Sequence, residues 1–380
     1  MPGIYIHIPF CRQACHYCNF HFSVSQKRRP EFVVALLKEI DLQRAFFNPE
    51  PTGKTVLDTL YFGGGTPSLL SIGELRRIFD HIQMYFELSP DAEVTLEANP
   101  DDLDAGQLAQ LKALGVNRLS IGIQSFREED LLYMNRSHTA AQAFKVLDDA
   151  LDCGFSNITA DLIYGTPGMT DQHWHDNLMQ LVSRGIPHIS AYALTVEKRT
   201  ALDVFIRQGK AAPVDDDMAA QQFDHMCRLL ANHQYDHYEI SNFGKEGFYS
   251  QHNLGYWSGE PYLGLGPSAH SFVPGFRRWN VANTCQYIDS LSQGIIPFEQ
   301  EMLSKEQQFN EYVMTALRTL WGIEKQHVLK HFGEQCLEDL VRNAQVFIAK
   351  GQLTENATHL KLKPNARFFA DGIASHLFVV

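Results

Sequence analysis

The chain has 380 residues, 44% of them hydrophobic and 20% charged, enough apolar mass to bury a sizeable core and enough length for two domains. Its formal charge of −12 argues against a nucleic-acid partner, which calls for a basic face that displaces counterions from phosphates, and no Lys/Arg cluster of that kind stands out. No run of roughly eighteen apolar residues occurs, and the opening M-P-G-I-Y-I-H-I-P-F-C lacks the basic region and apolar stretch of a secretory signal. The cytoplasm is the expected compartment, with at most peripheral membrane contact.

Short β-rich runs alternate with longer helical patterns through residues 1–240. Strands are expected at 4–8, 57–62, 93–98, 118–123, 158–164 and 188–194. After the first, a helix opens at Pro30, suited to a first turn, and carries Phe32, Leu36, Leu37 and Ile40 at helical spacing. Ser71 with Glu74, and Thr139 with Gln142, form capping-box patterns that start two further helices. An acidic-led helix spans about 215–233. Six βα repeats predict an α/β fold, either a partial barrel or an open curved parallel sheet.

Residues 241–300 are rich in Gly, Pro and aromatics with little periodicity, and read as a connecting segment. Residues 301–380 return to helical patterns and close with a small hairpin, 352–354 and 359–362 flanking a polar turn. Helices followed by a hairpin look winged-helix-like. Residues 304–380 carry nine Lys/Arg against eight Asp/Glu, however, so no basic footprint for DNA exists.

Seven cysteines is an odd number, and Cys153, Cys227, Cys285 and Cys336 are scattered, unlike a secreted disulfide framework. The other three crowd together as Cys11-Arg-Gln-Ala-Cys15-His-Tyr-Cys18, directly after the first expected strand. Thiolates are soft ligands that suit an iron–sulfur cluster or zinc. Three so close can wrap three corners of one cubane and leave the fourth iron open to a small molecule's amino and carboxylate groups. A zinc site would need a fourth ligand, for which His21 has suitable spacing and His7 and His16 lie nearby. The softness of the set favours the cluster.

The C-terminal ends of the other strands, where parallel barrels collect their chemistry, are also distinctive. They carry Gly63-Gly64-Gly65-Thr66-Pro67, Glu97-Ala98-Asn99-Pro100, Gln124 with Arg136 soon after, Asp161 ahead of Tyr164-Gly165-Thr166-Pro167, and Tyr192-Ala193. Taken singly, each reads as a turn, a helix cap or a surface charge. Their weight lies in falling at one end of successive strands.

The cysteine triplet followed by G-G-G-T-P strongly resembles the radical S-adenosylmethionine (SAM) superfamily. Together with Y-I-H-I-P-F-C, L-E-A-N-P, I-G-I-Q-S-F and D-L-I-Y-G-T-P-G, it is similar to the anaerobic coproporphyrinogen III oxidase family over nearly the whole chain. The resemblance implies an incomplete (β/α)6 barrel with a smaller C-terminal domain. It implies that Cys11, Cys15 and Cys18 hold a [4Fe-4S] cluster, that Tyr5 and Tyr17 border SAM, and that Gly64, Gly65 and Thr66 meet its methionine portion. Glu97, Gln124, Arg136, Asp161 and Ala193 would contact the rest of that cofactor.

Two branches of the family are in play. The dehydrogenase branch, which oxidatively decarboxylates porphyrinogen propionates without oxygen, resembles C-x3-C-x2-C-x-C and carries an N-terminal arm. Here Phe20 stands at the extra cysteine's place and four residues precede Tyr5. His252-Asn-Leu-Gly-Tyr-Trp257 instead resembles the H-N-x-x-Y-W signature of the heme-chaperone branch. That branch implies that His252 helps bind heme before its transfer to an acceptor protein, with an electron donor serving the cluster. Arg277 and Arg278 are candidates to pair with the propionates, since guanidinium forks suit carboxylates. The expected function is therefore a heme chaperone, with coproporphyrinogen III dehydrogenase as the alternative; no side chain is singled out as a catalytic acid or base.

Overall fold

The computed structural model describes residues 2–48 and 53–379. Six parallel strands, each followed by helix, build its first part. They run β1 (Gly3–Ile8), α1 (Arg29–Gln43), β2 (Thr55–Gly64), α2 (Ile72–Tyr85), β3 (Phe86–Ala98), α3 (Ala105–Leu114), β4 (Arg118–Gln124), α4 (Glu128–Tyr133) and α5 (Ala140–Asp152). Then come β5 (Asn157–Tyr164), α6 (Asp171–Ser183), β6 (His188–Ala193), α7 (Ala201–Arg207) and α8 (Asp216–Asn232). The six strands pair in sequence order, and β1 and β6 do not meet, so the barrel is incomplete. The expected strands and α/β class are borne out.

Local signals set the helix starts. Ser71, Asp104, Thr139 and Thr170 each accept from the backbone N–H three residues on, and the side chains of Glu74, Gln107, Gln142 and His173 accept in return from the cap residue's backbone N–H. The helices lay their apolar faces on strands such as β4, in which every residue is buried, as expected where helices cover a parallel sheet. Ile4, Ile6, Leu60, Phe62, Leu96, Leu119, Ile158 and Ile189 lie in the resulting core.

Residues 236–302 extend this sheet. β7 (Asp236–His237) and β8 (Asn242–Gly244) attach antiparallel beyond β6. After α9 (Gln251–Ser258), β9 (Tyr262–Leu265) pairs parallel with the free edge of β1. β10 (His270–Val273) and β11 (Phe276–Asn280) follow; after α10 (Thr284–Ser292), β12 (Phe298–Met302) completes a twelve-stranded sheet. A buried carboxylate joins the extension to α1: Glu39 accepts from Gly266 N at 2.8 Å, Asn280 Nδ2 at 2.6 Å and Tyr287 Oη at 2.5 Å. Leu263, Leu265, Tyr287 and Leu291 share the barrel's core.

The C-terminal part has its own core. It comprises α11 (Lys305–Leu317), β13 (Ile323–Glu324), α12 (Lys325–Phe332), α13 (Glu334–Ala349), β14 (Leu353–Glu355), β15 (His359–Leu362) and α14 (Ala370–His376). Phe309, Val313, Val328, Leu340, Leu353 and Leu360 pack together there, and the three short strands form a separate sheet. Arg367 ties it to the barrel by donating to His237 O at 2.7 Å. No helix among the described residues is long and apolar enough to cross a membrane.

Candidate functional site

The loop after β1 carries the three cysteines and is pinned on several sides. His16 N donates to Met134 O at 3.0 Å, its Nδ1 meets Tyr133 O at 3.0 Å, and its carbonyl accepts from Leu202 N at 2.8 Å. Arg12 pairs with Asp102 and, at 3.4 Å, with Asp101. These contacts hold Cys11, Cys15 and Cys18 against the C-terminal ends of the strands, where all three line one cavity of about 430 Å3.

Twelve of the fourteen residues expected at cofactor sites line that cavity: the three cysteines, Tyr17, Gly64, Gly65, Thr66, Glu97, Gln124, Arg136, Asp161 and Ala193. Backbone sterics explain the glycines. A Cβ on Gly65 would lie 2.6 Å from Phe10 O, and Gly64 takes φ +108° with the His7 ring 2.6 Å from any Cβ there. Only glycines let the end of β2 approach the cysteine loop so closely. Gln124 adopts φ +64°, the left-handed region uncommon for residues with a Cβ, where β4 ends.

Charge in the cavity is graded. Glu97 accepts from Tyr61 Oη at 2.8 Å and from Gly64 N at 3.1 Å, yet burial outweighs these bonds and raises its carboxyl to about 7. Burial likewise brings Asp161 up to about 6, against hydrogen bonds from Ser190 and Ser120. Arg136 donates to Asn99 Oδ1 at 2.6 Å, to Gly122 O at 2.9 Å and to Cys15 Sγ at 3.3 Å, and its buried Nε has no partner. Burial pushes the Cys11 thiol up to about 11; coordination to a metal would reverse this, because a ligating thiol is deprotonated.

The donor set fits a cluster better than a single ion. A zinc site would need a fourth ligand beside the three thiols. The histidines near the loop are engaged elsewhere: His21 Nε2 meets Thr284 Oγ1 at 3.0 Å and His7 Nε2 meets His21 O at 2.9 Å. Three thiols, the unpartnered Arg136 Nε and the carboxylates opposite suit a cubane and a zwitterionic, cationic ligand together.

Tyr5 and His252 lie elsewhere. The Tyr5 hydroxyl meets His7 Nδ1 at 3.2 Å, and its ring lines a neighbouring cavity. His252 sits on α9 at the opposite, N-terminal ends of the strands, on a larger cavity of about 770 Å3 that no cysteine lines. Glu93 holds α9 there by accepting from Gln251 N at 3.0 Å and His252 N at 3.1 Å, a carboxylate at a helix N-terminus. The His252 ring stacks on Tyr61 at 4.9 Å, its Nδ1 meets Thr59 Oγ1 at 2.7 Å and its Nε2 meets Tyr256 Oη at 2.8 Å. Burial lowers its pKa to about 3.

β11 alternation separates the two arginines. Arg277 pairs with Glu301 and Glu311, and Arg278 is buried, with its guanidinium 4.6 Å from the Phe46 ring centroid. Asn99 and Tyr192, noted at strand ends but given no role, and Ser120, which sequence reasoning missed, also lie on the cavity wall. The two-residue period was the usable signal: Ser120 and Gln124, or Asp161 and Ile163, share one strand face.

Comparison with known proteins agrees with this architecture. The Radical SAM superfamily model matches residues 5–181, and that of the HemN C-terminal domain matches 303–369. A Bacillus subtilis protein named heme chaperone HemW is 34% identical over 360 residues, 94% of this chain and 93% of the relative. Its Escherichia coli counterpart is 32% identical over 378 residues, 98% and 96% of the two chains. Coproporphyrinogen III oxidase (HemN) from Escherichia coli has the same fold, with a TM-score of 0.84 over 100% of this chain and 90% of that one, at 21% identity. The chain belongs to the radical SAM superfamily, in the HemW branch of the anaerobic coproporphyrinogen III oxidase family.

Proposed function

We infer that this protein is a heme chaperone: it binds heme and passes it to an acceptor protein, with a [4Fe-4S] cluster and SAM in the barrel mouth. The observation that carries the reading is the end-to-end similarity to relatives named heme chaperones, together with Phe20 where the dehydrogenase pattern has a cysteine.

Cys11, Cys15 and Cys18 would hold the cluster, and Gly64, Gly65, Thr66, Glu97, Gln124, Arg136, Asp161 and Ala193 would hold SAM. When bound, the cluster supplies a one-electron centre with one iron open to the cofactor's amino and carboxylate groups. The chain's own residues supply position and charge. Glu97 and Asp161 offer carboxylates to a cation, and Arg136 fixes Asn99 and faces the thiolates. The Gly64–Thr66 turn brings backbone close to the ligand's polar end. An external electron donor would serve the cluster. His252 supports heme binding through the hydroxyl of Tyr256.

The test is anaerobic reconstitution followed by parallel assays. Heme binding with transfer to an apo-acceptor and little porphyrinogen decarboxylation is the expected result. Robust conversion of coproporphyrinogen to protoporphyrinogen would assign the chain to the dehydrogenase activity instead.

A further inference from the structure

Next to the cysteine loop lies another cavity, of about 530 Å3, with Tyr5, His7, His21, Tyr256, Tyr262 and His270 on its walls. Its volume lies within the roughly 300–1,000 Å3 of small-molecule and cofactor sites. Phe20, 70% exposed, lines both this cavity and the barrel mouth. The position that separates the two branches of the family is thus an apolar plane at the rim. Tyr256 and Tyr262 add two more flat walls, packed edge-to-face with centroids 4.5 Å apart.

The imidazoles around this groove differ in what they have left to offer. Both ring nitrogens of His7 are engaged, by the Tyr5 hydroxyl at 3.2 Å and His21 O at 2.9 Å. Both nitrogens of His252 are engaged by hydroxyls, and His21 uses its Nε2 on Thr284. His270 is exposed, stacks on Trp279 with centroids 5.9 Å apart, and makes no side-chain hydrogen bond with a described residue. Partial burial, aided by the charge of Arg277, lowers its pKa below the ordinary histidine value, which favours the uncharged form that ligates iron.

We propose that this groove is the heme site, with His270 as the axial imidazole and Phe20, Tyr256 and Tyr262 as its flat walls. His252 is then a positioning residue: one helical turn before Tyr256, it holds that hydroxyl from behind the wall. The proposal rests on the heme-chaperone reading and deepens it by naming the iron ligand. Arg277, close enough to influence His270, is already paired with Glu301 and Glu311. The macrocycle is therefore held by its iron and its faces rather than by its carboxylates, a grip that an acceptor's own ligand can displace.

The experiment titrates ferric heme, without oxygen, into cluster-loaded full-length protein, followed by absorption and electron paramagnetic resonance. Wild type should show imidazole-ligated heme. His270→Ala should lose that spectrum and bind heme at least about tenfold more weakly, with iron, sulfide and SAM affinity unchanged; added free imidazole should restore the spectrum. His252→Gln should keep imidazole ligation. Wild-type spectrum and affinity in His270→Ala overturn the inference alone, as does loss of imidazole ligation in a His252→Gln protein that still binds SAM normally. Wild type that binds no heme overturns the parent reading as well.

Discussion

The two ends of the barrel treat their polar side chains differently. At the mouth, groups keep bonding capacity in hand: three thiols face one cavity, Arg136 Nε has no partner, and Glu97 and Asp161 are held above the ordinary carboxylate range. At the floor, around α9, most of them satisfy one another, although Trp257 Nε1 is buried without a partner. Glu93 holds the helix N-terminus, and both nitrogens of His252 are bonded. Both regions carry recognisable motifs, so a motif alone does not separate a ligand site from a structural joint. Unmet valence does.

The sharpest way to break this comparison is to remove a thiol. Replacing Cys11, Cys15 or Cys18 with Ala should strip most iron and acid-labile sulfide from anaerobically purified protein. Full retention of both would show that the mouth is not a cluster site. Arg136→Gln comes next. It deprives Asn99 Oδ1, Gly122 O and Cys15 Sγ of a charged donor, interactions of about 1.5–3 kcal/mol each. SAM affinity measured by calorimetry should fall by about tenfold or more, since each 1.4 kcal/mol is a factor of ten.

A smaller effect tests the raised carboxylates. The folded value of Glu97, about 7, lies above that of an unfolded glutamate, so the fold favours the neutral form. Its contribution to the stability of the ligand-free protein is complete below the ordinary glutamate value and is lost as pH rises through about 7, by on the order of 1–3 kcal/mol. A cationic cofactor favours the ionised form, so SAM affinity should climb over the same pH window, and Glu97→Gln should flatten that climb. A flat wild-type profile would contradict the assignment. Smallest at the mouth is the floor variant His252→Phe. It leaves the Thr59 and Tyr256 hydroxyls unpaired, which should lower stability by about 1–3 kcal/mol in thermal or denaturant unfolding. Cluster content and SAM affinity should not move; if they fall with it, the two ends are not independent.

The barrel was legible because its signals are local. Alternating apolar strands, the Ser71–Glu74 and Thr139–Gln142 boxes and the polar strand ends each need only a short window of sequence. The mouth was legible for the same reason, one wall residue at a time. Residues 241–300 were not. β9 is only Tyr-Leu-Gly-Leu, α9 has Gly255 inside it, and what makes them an extension of the sheet is pairing with β1 and the buried Glu39, more than 200 positions away in the chain. Periodicity has no access to such contacts. It also could not tell that α9 bonds both ring nitrogens of His252 to Thr59 and Tyr256, or that β11 would turn Arg277 onto Glu301 and Glu311 and Arg278 onto the Phe46 ring.

The parallel pairing of β9 with β1 has a consequence for synthesis. β1 is an interior strand of the finished sheet, yet one of its neighbours begins at Tyr262. At about 5–20 residues per second, a ribosome that has just made β1 needs roughly 13–50 s to deliver that neighbour. Throughout that interval the newborn cysteine loop hangs from a strand with one edge bare. Iron loading of the triplet, on the proposed reading, would thereby be biased toward a nearly finished polypeptide, and truncation before Tyr262 should impair metal acquisition although every proposed ligand is present.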